Sequence, residues 1–242
     1  MTKTKAITAV VAAGFFITAA EMLIFHGPGS TPIFLIGKNI GASGSTSSDE
    51  IYGERGNDRI AGFSGGDYLD GGGGDDVLIS ENGADALVGG AGNDRLSSGD
   101  GDDYLIGDEG DDVLAGGDGD DMIEGGSGND RLEGGSGNDR FVFNSPLDAS
   151  SNVDTIADYS PANDSLLLAS SVFTALAAGP LPEDALHAGT AAARETDRII
   201  YDAGSGWLTY DADGTGAQAA VHFATISPGL ALSSADFSIS GR

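Results

Sequence analysis

The chain has 242 residues, of which 40 are Gly and none is Cys, and its 38 Asp and Glu outweigh 11 Lys and Arg to give a formal charge of −27. The missing Cys excludes a disulfide scaffold and any thiolate metal site, and the sign of the charge excludes nucleic acid, whose phosphates need a Lys/Arg footprint. With 40% of residues hydrophobic, a disordered acidic tail is excluded too, which leaves an acidic, Gly-rich chain that needs cations to fold.

Composition divides the chain into three regions: residues 1–43 carry +2, residues 44–142 carry −20 and 27 of the Gly, and residues 143–242 carry −9. In the first region, residues 1–5 are basic and residues 6–20 are apolar and uncharged. Glu21 and apolar residues 22–25 come next, before Gly27, Gly29 and Pro32 break the pattern. The stretch is short for a membrane span. Three readings stay open: an apolar helix that caps or packs on the central region, a secretory signal cleaved near Ala20, and a membrane anchor. Membrane contact arises only if residues 6–25 are retained and exposed. Residues 32–36 look like a strand placed to cover the open end of the central region.

From Gly44 to Val142 the sequence repeats every nine residues, giving eleven units such as GERGNDRIA (53–61), GGAGNDRLS (89–97) and GGSGNDRLE (125–133). The sixth position is always Asp: Asp49, Asp58, Asp67, Asp76, Asp85, Asp94, Asp103, Asp112, Asp121, Asp130 and Asp139. The eighth is always apolar, the fourth is Gly in ten units, and the fifth is Asn or Asp in eight. Gly-rich positions one to four turn tightly through positive φ. Positions seven to nine make a short strand with its middle side chain inward. Two units therefore close one coil, and eleven units stack into a rod with a thin double column of Leu and Ile inside. That core is too narrow to offset the ordering of so many Gly and the repulsion of stacked carboxylates. Calcium is the natural neutraliser, because it takes six to eight carboxylate and carbonyl oxygens; zinc is excluded by the absence of His and Cys from the turns.

The unit G-G-x-G-x-D-x-U-x resembles the calcium-binding nonapeptide of RTX proteins. The resemblance implies a right-handed parallel β-roll with calcium held between turns one coil apart; with the β-rich C-terminal cap implied by a second likeness below and a short apolar N-terminal segment read as a helix, the expected fold class is all-β. In that family the ligands look like positions two, four and six of one turn, with positions one, three and five of the unit two repeats later. Carried over, the pairs Asp58/Asp75, Asp76/Asn93, Asp94/Asp111 and Asp112/Asn129 fill the even-unit edge. Asp85/Asp102, Asp103/Asp120 and Asp121/Asn138 fill most of the odd-unit edge. Gly74, Gly92, Gly101, Gly110, Gly119 and Gly128 lend carbonyls, and Asp130 and Asp139 close the two columns. Two further gaps, Asp49 with Gly66 and Asp67 with Ala84, lack a second side-chain ligand. The expectation is seven good Ca2+ sites and two weak ones.

Residues 143–242 lose the period. Strands are expected at 153–159, 165–168, 198–202, 206–211, 220–226 and 235–239, short helices at 171–178 and 183–187, and a hairpin over 197–216 turning at 204–206. Residues 141–168 (FVFNSPLDASSNVDTIADYSPANDSLLL) and 233–240 (SSADFSIS) resemble the C-terminal part of serralysin-type secretion domains. That likeness implies an uncleaved signal read by type I export machinery and a secreted, extracellular protein, although Gly241 and Arg242 stand where a short apolar or acidic tail is usual.

No catalytic constellation emerges. His26, His187 and His222 lack zinc spacing. Gly62, Ser64 and Gly66 match GxSxG but sit in register with the repeat rather than between a strand and a helix. Residues 211–216 are faintly like an EF-hand loop, yet the twelfth position is His222 rather than Glu. The reading is therefore a calcium-binding protein and not an enzyme. The alternative is an adhesin using the odd-unit face, where Tyr52, Tyr68, Val88, Tyr104, Ile106 and Met122 form a near-continuous apolar column. A remnant of a secreted metalloprotease is least favoured, because 43 leading residues cannot house its catalytic part.

Overall fold

The computed structural model describes residues 33–34 and 41–241. The apolar stretch 6–25, and with it the choice among cap, signal and anchor, lies outside the described residues. The strands in chain order are β1 (Ile33–Phe34), β2 (Gly41–Ser43), β3 (Glu50–Tyr52), β4 (Arg59–Ala61), β5 (Tyr68–Gly73), β6 (Val77–Asn82), β7 (Ala86–Ala91), β8 (Arg95–Asp100), β9 (Tyr104–Glu109), β10 (Val113–Asp118), β11 (Met122–Ser127), β12 (Arg131–Ser136) and β13 (Arg140–Phe143). Odd and even strands form two separate parallel sheets, so each coil contributes one strand to each. Every step is 18 residues: Leu69 pairs with Leu87, Leu87 with Leu105, and Leu105 with Ile123. The fold is thus an all-β parallel solenoid of about six turns.

The eighth-position column is the core. Ile51, Leu69, Leu87, Leu105, Leu114, Ile123 and Leu132 are fully buried. The roll starts half a coil before the first Gly-rich unit, because Ala42 pairs with Ile60 and is itself buried. Within residues 32–36, β1 pairs in parallel with β3 and adds a strand to the odd sheet at the roll's N-terminal end.

The strands β5–β12 are twice as long as the unit suggests. Each runs six residues, from position seven through position three of the next unit. The register skips position one and resumes at two and three, as in Gly72 with Gly90 and Gly73 with Ala91. A positive φ at position two, 94° at Gly72 and 106° at Gly90, bends the chain without ending its ladder. Only positions four to six remain as the turn.

The two sheets continue past the last repeat. β14 (Asp154–Ile156) stacks on β12 with Leu132 opposite Ile156, and β15 (Ser165–Ala169) stacks on β13 with Phe141 opposite Leu166. The remaining strands are β16 (Gly179–Pro180), β17 (Leu186–Ala188), β18 (Ile199–Asp202), β19 (Trp207–Tyr210), β20 (Val221–Thr225) and β21 (Phe237–Ser240). β20 joins β14 in parallel and β19 and β18 add on antiparallel, while β21 joins β15. The expected hairpin forms, with Asp202 opposite Trp207. The two expected helices do not. Residues 171–178 are a series of turns that bury Phe173 and Leu176, and Glu183–Ala185 is one 3-10 turn leading into β17. Phe173, Leu176 and Ala185 are drawn into the core beside the sheets instead of forming a helical face. Here the core widens: Phe173 meets Phe223 and Tyr210 at ring-centroid distances of 5.2 and 5.0 Å, and Phe143 meets Phe223 at 5.2 Å.

The outer odd face is less apolar than the sequence implies. Its residues form two columns, Tyr68–Ala86–Tyr104–Met122 and Tyr52–Asp70–Val88–Ile106–Glu124. Asp70 and Glu124 interrupt the second, and the Tyr104 hydroxyl donates to Glu124 at 3.4 Å.

Candidate metal centre

The sixth-position Asp stands where the turn becomes a strand, and its side chain folds back inside the turn. Room for it comes from position one of the same unit: a Cβ on Gly71, Gly89, Gly107 or Gly125 would meet Oδ2 of Asp76, Asp94, Asp112 or Asp130. Position four meets a different neighbour. A Cβ on Gly92, Gly110, Gly119 or Gly128 would meet the carbonyl of Gly74, Gly92, Gly101 or Gly110 one coil earlier, and all of these Gly have positive φ.

This geometry builds a ladder on each edge. The backbone N–H of one sixth-position Asp donates to Oδ1 of the Asp 18 residues on. On the even edge the steps are Asp58 to Asp76 at 2.6 Å, Asp76 to Asp94 at 2.7 Å, Asp94 to Asp112 at 2.7 Å and Asp112 to Asp130 at 2.9 Å. On the odd edge they are Asp49 to Asp67 at 2.8 Å, Asp67 to Asp85 at 2.7 Å, Asp85 to Asp103 at 2.7 Å, Asp103 to Asp121 at 2.9 Å and Asp121 to Asp139 at 3.0 Å. These carboxylates are buried, with Asp76 at 0% exposure and Asp94, Asp112 and Asp139 at 1%. The other oxygen, Oδ2, has no hydrogen-bond partner at Asp67, Asp76, Asp85, Asp94, Asp103, Asp112, Asp121, Asp130 and Asp139.

The fifth position makes a second, exposed ladder in the same turns. Its side-chain oxygen accepts the N–H of the next coil's fifth residue: Asp75 from Asn93 at 3.0 Å, Asn93 from Asp111 at 2.8 Å and Asp111 from Asn129 at 2.8 Å. On the odd edge Asp102 accepts from Asp120 at 3.0 Å and Asp120 from Asn138 at 2.8 Å. The two ladders lie within each other's field. Asp75 raises Asp94, Asp102 raises Asp121, Asp111 raises Asp130 and Asp120 raises Asp139.

At six of the sixth-position Asp, burial raises the pKa and outweighs the backbone donor that opposes it. Asp76, Asp112 and Asp121 are pushed up to about 7, and Asp67, Asp94 and Asp139 to about 6. A buried anion without partners is costly, and here the cost repeats every coil. The structure therefore calls for positive charge along both columns. A hard divalent cation fits, because every nearby donor is a carboxylate, amide or carbonyl oxygen.

The N-terminal turn differs. Asp49 Oδ2 accepts the N–H of Ser45 at 2.6 Å and its hydroxyl at 2.9 Å, and Ser48 takes the place of a fifth-position carboxylate by accepting the Gly66 N–H at 3.2 Å.

Two members of the columns escape the sequence reading. The Asp130 N–H donates to Asp154 at 3.1 Å and the Asp139 N–H to Asp164 at 3.2 Å. The signal was there in the D-x-U fragment alone: Asp154-Thr155-Ile156 and Asp164-Ser165-Leu166 keep positions six to eight after the Gly have gone.

The comparison with curated proteins gives no match for the chain. A family model described as the RTX calcium-binding nonapeptide repeat in four copies matches residues 43–78, 79–114 and 106–141. Residues 43–141 of this chain are an array of RTX calcium-binding nonapeptide repeats.

Proposed function

We propose that this protein is a secreted calcium-binding β-roll whose folding is its response to calcium. The observation that carries the reading is the repeated buried Oδ2 without a hydrogen-bond partner. Calcium supplies the charge that these oxygens lack. The residues that hold it are the sixth-position Asp with the fifth-position side chains of the facing coil: Asp58/Asp75, Asp76/Asn93, Asp94/Asp111 and Asp112/Asn129 on one edge, and Asp85/Asp102, Asp103/Asp120 and Asp121/Asn138 on the other. Turn carbonyls of the position-four Gly complete the shell. The already satisfied Asp49 favours weak binding at the N-terminal end.

Where calcium is scarce, the acidic Gly-rich segment stays unfolded, which keeps it threadable through an exporter. Outside the cell, calcium near millimolar matches extracellular-type sites of about 10⁻⁴–10⁻³ M, and binding stabilises the folded state by mass action. Export by a type I system through a signal within residues 143–242 is the route this reading implies. Among the described residues no helix is long and apolar enough to cross a membrane.

The test is far-UV circular dichroism of the purified chain, titrated with calcium from a chelated start, with a magnesium control. The expected result is a steep gain of β signal near millimolar calcium that magnesium does not reproduce. A β signal already complete in chelator would overturn the coupling of folding to calcium.

A further inference from the structure

The nonapeptide period ends at Val142, but the carboxylate columns do not. Asp154 and Asp164 accept the same bond from the coil before as the sixth-position Asp from Asp67 to Asp139, and both are buried, at 3% and 9% exposure. The second ladder crosses the junction as well, with the Val153 N–H donating to the Asn129 side chain at 3.2 Å. Behind these bonds, Asp130 and Asp139 are 2% and 1% exposed, and their Oδ2 atoms lack hydrogen-bond partners as in the preceding repeats.

The odd edge carries a third carboxylate. Asp158 accepts the N–H groups of Gly134 and Gly135 at 3.0 and 2.8 Å. Gly134 is also the residue whose added Cβ would meet Oδ2 of Asp139. Two carboxylates thus converge on one glycine, with Asp164 held one bond away. Asp164 itself is fixed by a further donor, the Ser160 N–H at 2.7 Å. Hydrogen bonds fix these groups without using all their lone pairs, so oxygens remain to coordinate.

We infer that two further calcium sites lie at the junction, Asp130 with Asp154 on the even edge and Asp139 with Asp164 on the odd edge, and that they fasten residues 143–241 to the roll. The inference rests on the calcium reading of the repeats. Its consequence is that β14 and β15, which have no Gly-rich turns, are ordered by the same ions as the last coil. From β14 the order passes to β20 and β19, where the single Trp, Trp207, lies opposite Thr225.

The full-length chain allows a direct test. Calcium bound per chain is measured by equilibrium dialysis with metal analysis, and far-UV circular dichroism and Trp207 fluorescence are followed in one calcium titration. The variant is Asp154→Asn with Asp164→Asn, since Asn keeps an oxygen for the backbone donor and removes the charge. The expected result is about two fewer ions and a Trp207 midpoint about tenfold higher in calcium, with little change in the circular dichroism midpoint. An unchanged ion count, or an unshifted Trp207 midpoint, would overturn the inference while leaving calcium binding by the repeats intact. Should the double variant not fold, the single variants decide: each is expected to lose about one ion, and a wild-type count in both would overturn the inference. A wild-type chain that takes up no calcium would sink the reading of the roll and this inference together.

Discussion

At position two of the repeat the backbone is left-handed, and four side chains have to bear it: Glu54 at φ 73°, Phe63 at 75°, Glu81 at 77° and Asp108 at 74°. Such a conformation costs a non-Gly residue about 1–2 kcal/mol. Glu81→Gly removes that strain from a side chain that is exposed. It is expected to stabilise the calcium-loaded protein by about 1 kcal/mol, read as a higher thermal midpoint. The opposite substitution at position four is severe. Gly110→Ala meets both a φ of 130° and the Gly92 carbonyl, so it is expected to cost about 2 kcal/mol or more and to weaken the β signal at limiting calcium. An unchanged midpoint for both variants would mean that the turn relaxes easily.

At the scale of the coil, each unit commits one large side chain to the core. Leu105 is fully buried between Leu87 and Ile123, and the column has no second layer with which to fill a gap. Leu105→Ala is expected to cost about 2–5 kcal/mol, measured by chemical denaturation in saturating calcium. The carboxylates of the coil make its stability depend on pH in a particular direction. In the metal-free fold, Asp76, Asp112 and Asp121 hold protons up to about pH 7, and Asp67, Asp94 and Asp139 up to about pH 6, against 3.8 for the ordinary group. The folded chain therefore binds more protons than the unfolded one between about pH 4 and 7, and stability falls as pH rises through that window. In chelator, far-UV circular dichroism is expected to show more residual β signal at about pH 5 than at about pH 8, where the metal-free chain stays unfolded. With calcium present the order reverses, because the metal needs the ionised carboxylates. A chelated chain with no more β signal at the lower pH would show that burial does not dominate the columns.

For the whole molecule, cohesion comes from two sources that change along its length. In the roll the core is one side chain wide and the ladders of like charge oppose stacking, so on the proposed reading the ions decide whether it forms. In residues 143–241 the aromatic cluster around Phe173 and Phe223 supplies a broader core, and the charge density is lower. The stable end therefore lies at the C-terminal side of the stack. The sheets run through the junction without a break, which lets order in one part propagate to the other. A roll whose coils share both ladders is expected to respond to calcium as a unit rather than site by site, and the steepness of the circular dichroism titration measures that.

Local chemistry decided much of this protein by itself. A nine-residue period with an apolar eighth position admits one efficient burial, two strands per coil with that residue inward, and an Asp in every sixth position demands a cation. Six of the eight strands of residues 143–241 were legible from their apolar runs and Gly-bounded turns as well, while β16 and β17 were not. Tertiary structure decided what depends on stacking. The strands reach six residues because the ladder to the next coil holds positions two and three in place, which no single unit reveals. The helices expected at 171–178 and 183–187 gave way because Phe173, Leu176 and Ala185 are buried against the sheets. Asp154 and Asp164 joined the carboxylate columns because β14 and β15 stack in register on the last repeats, and that register brings together residues whose Gly-rich signature is gone from the sequence.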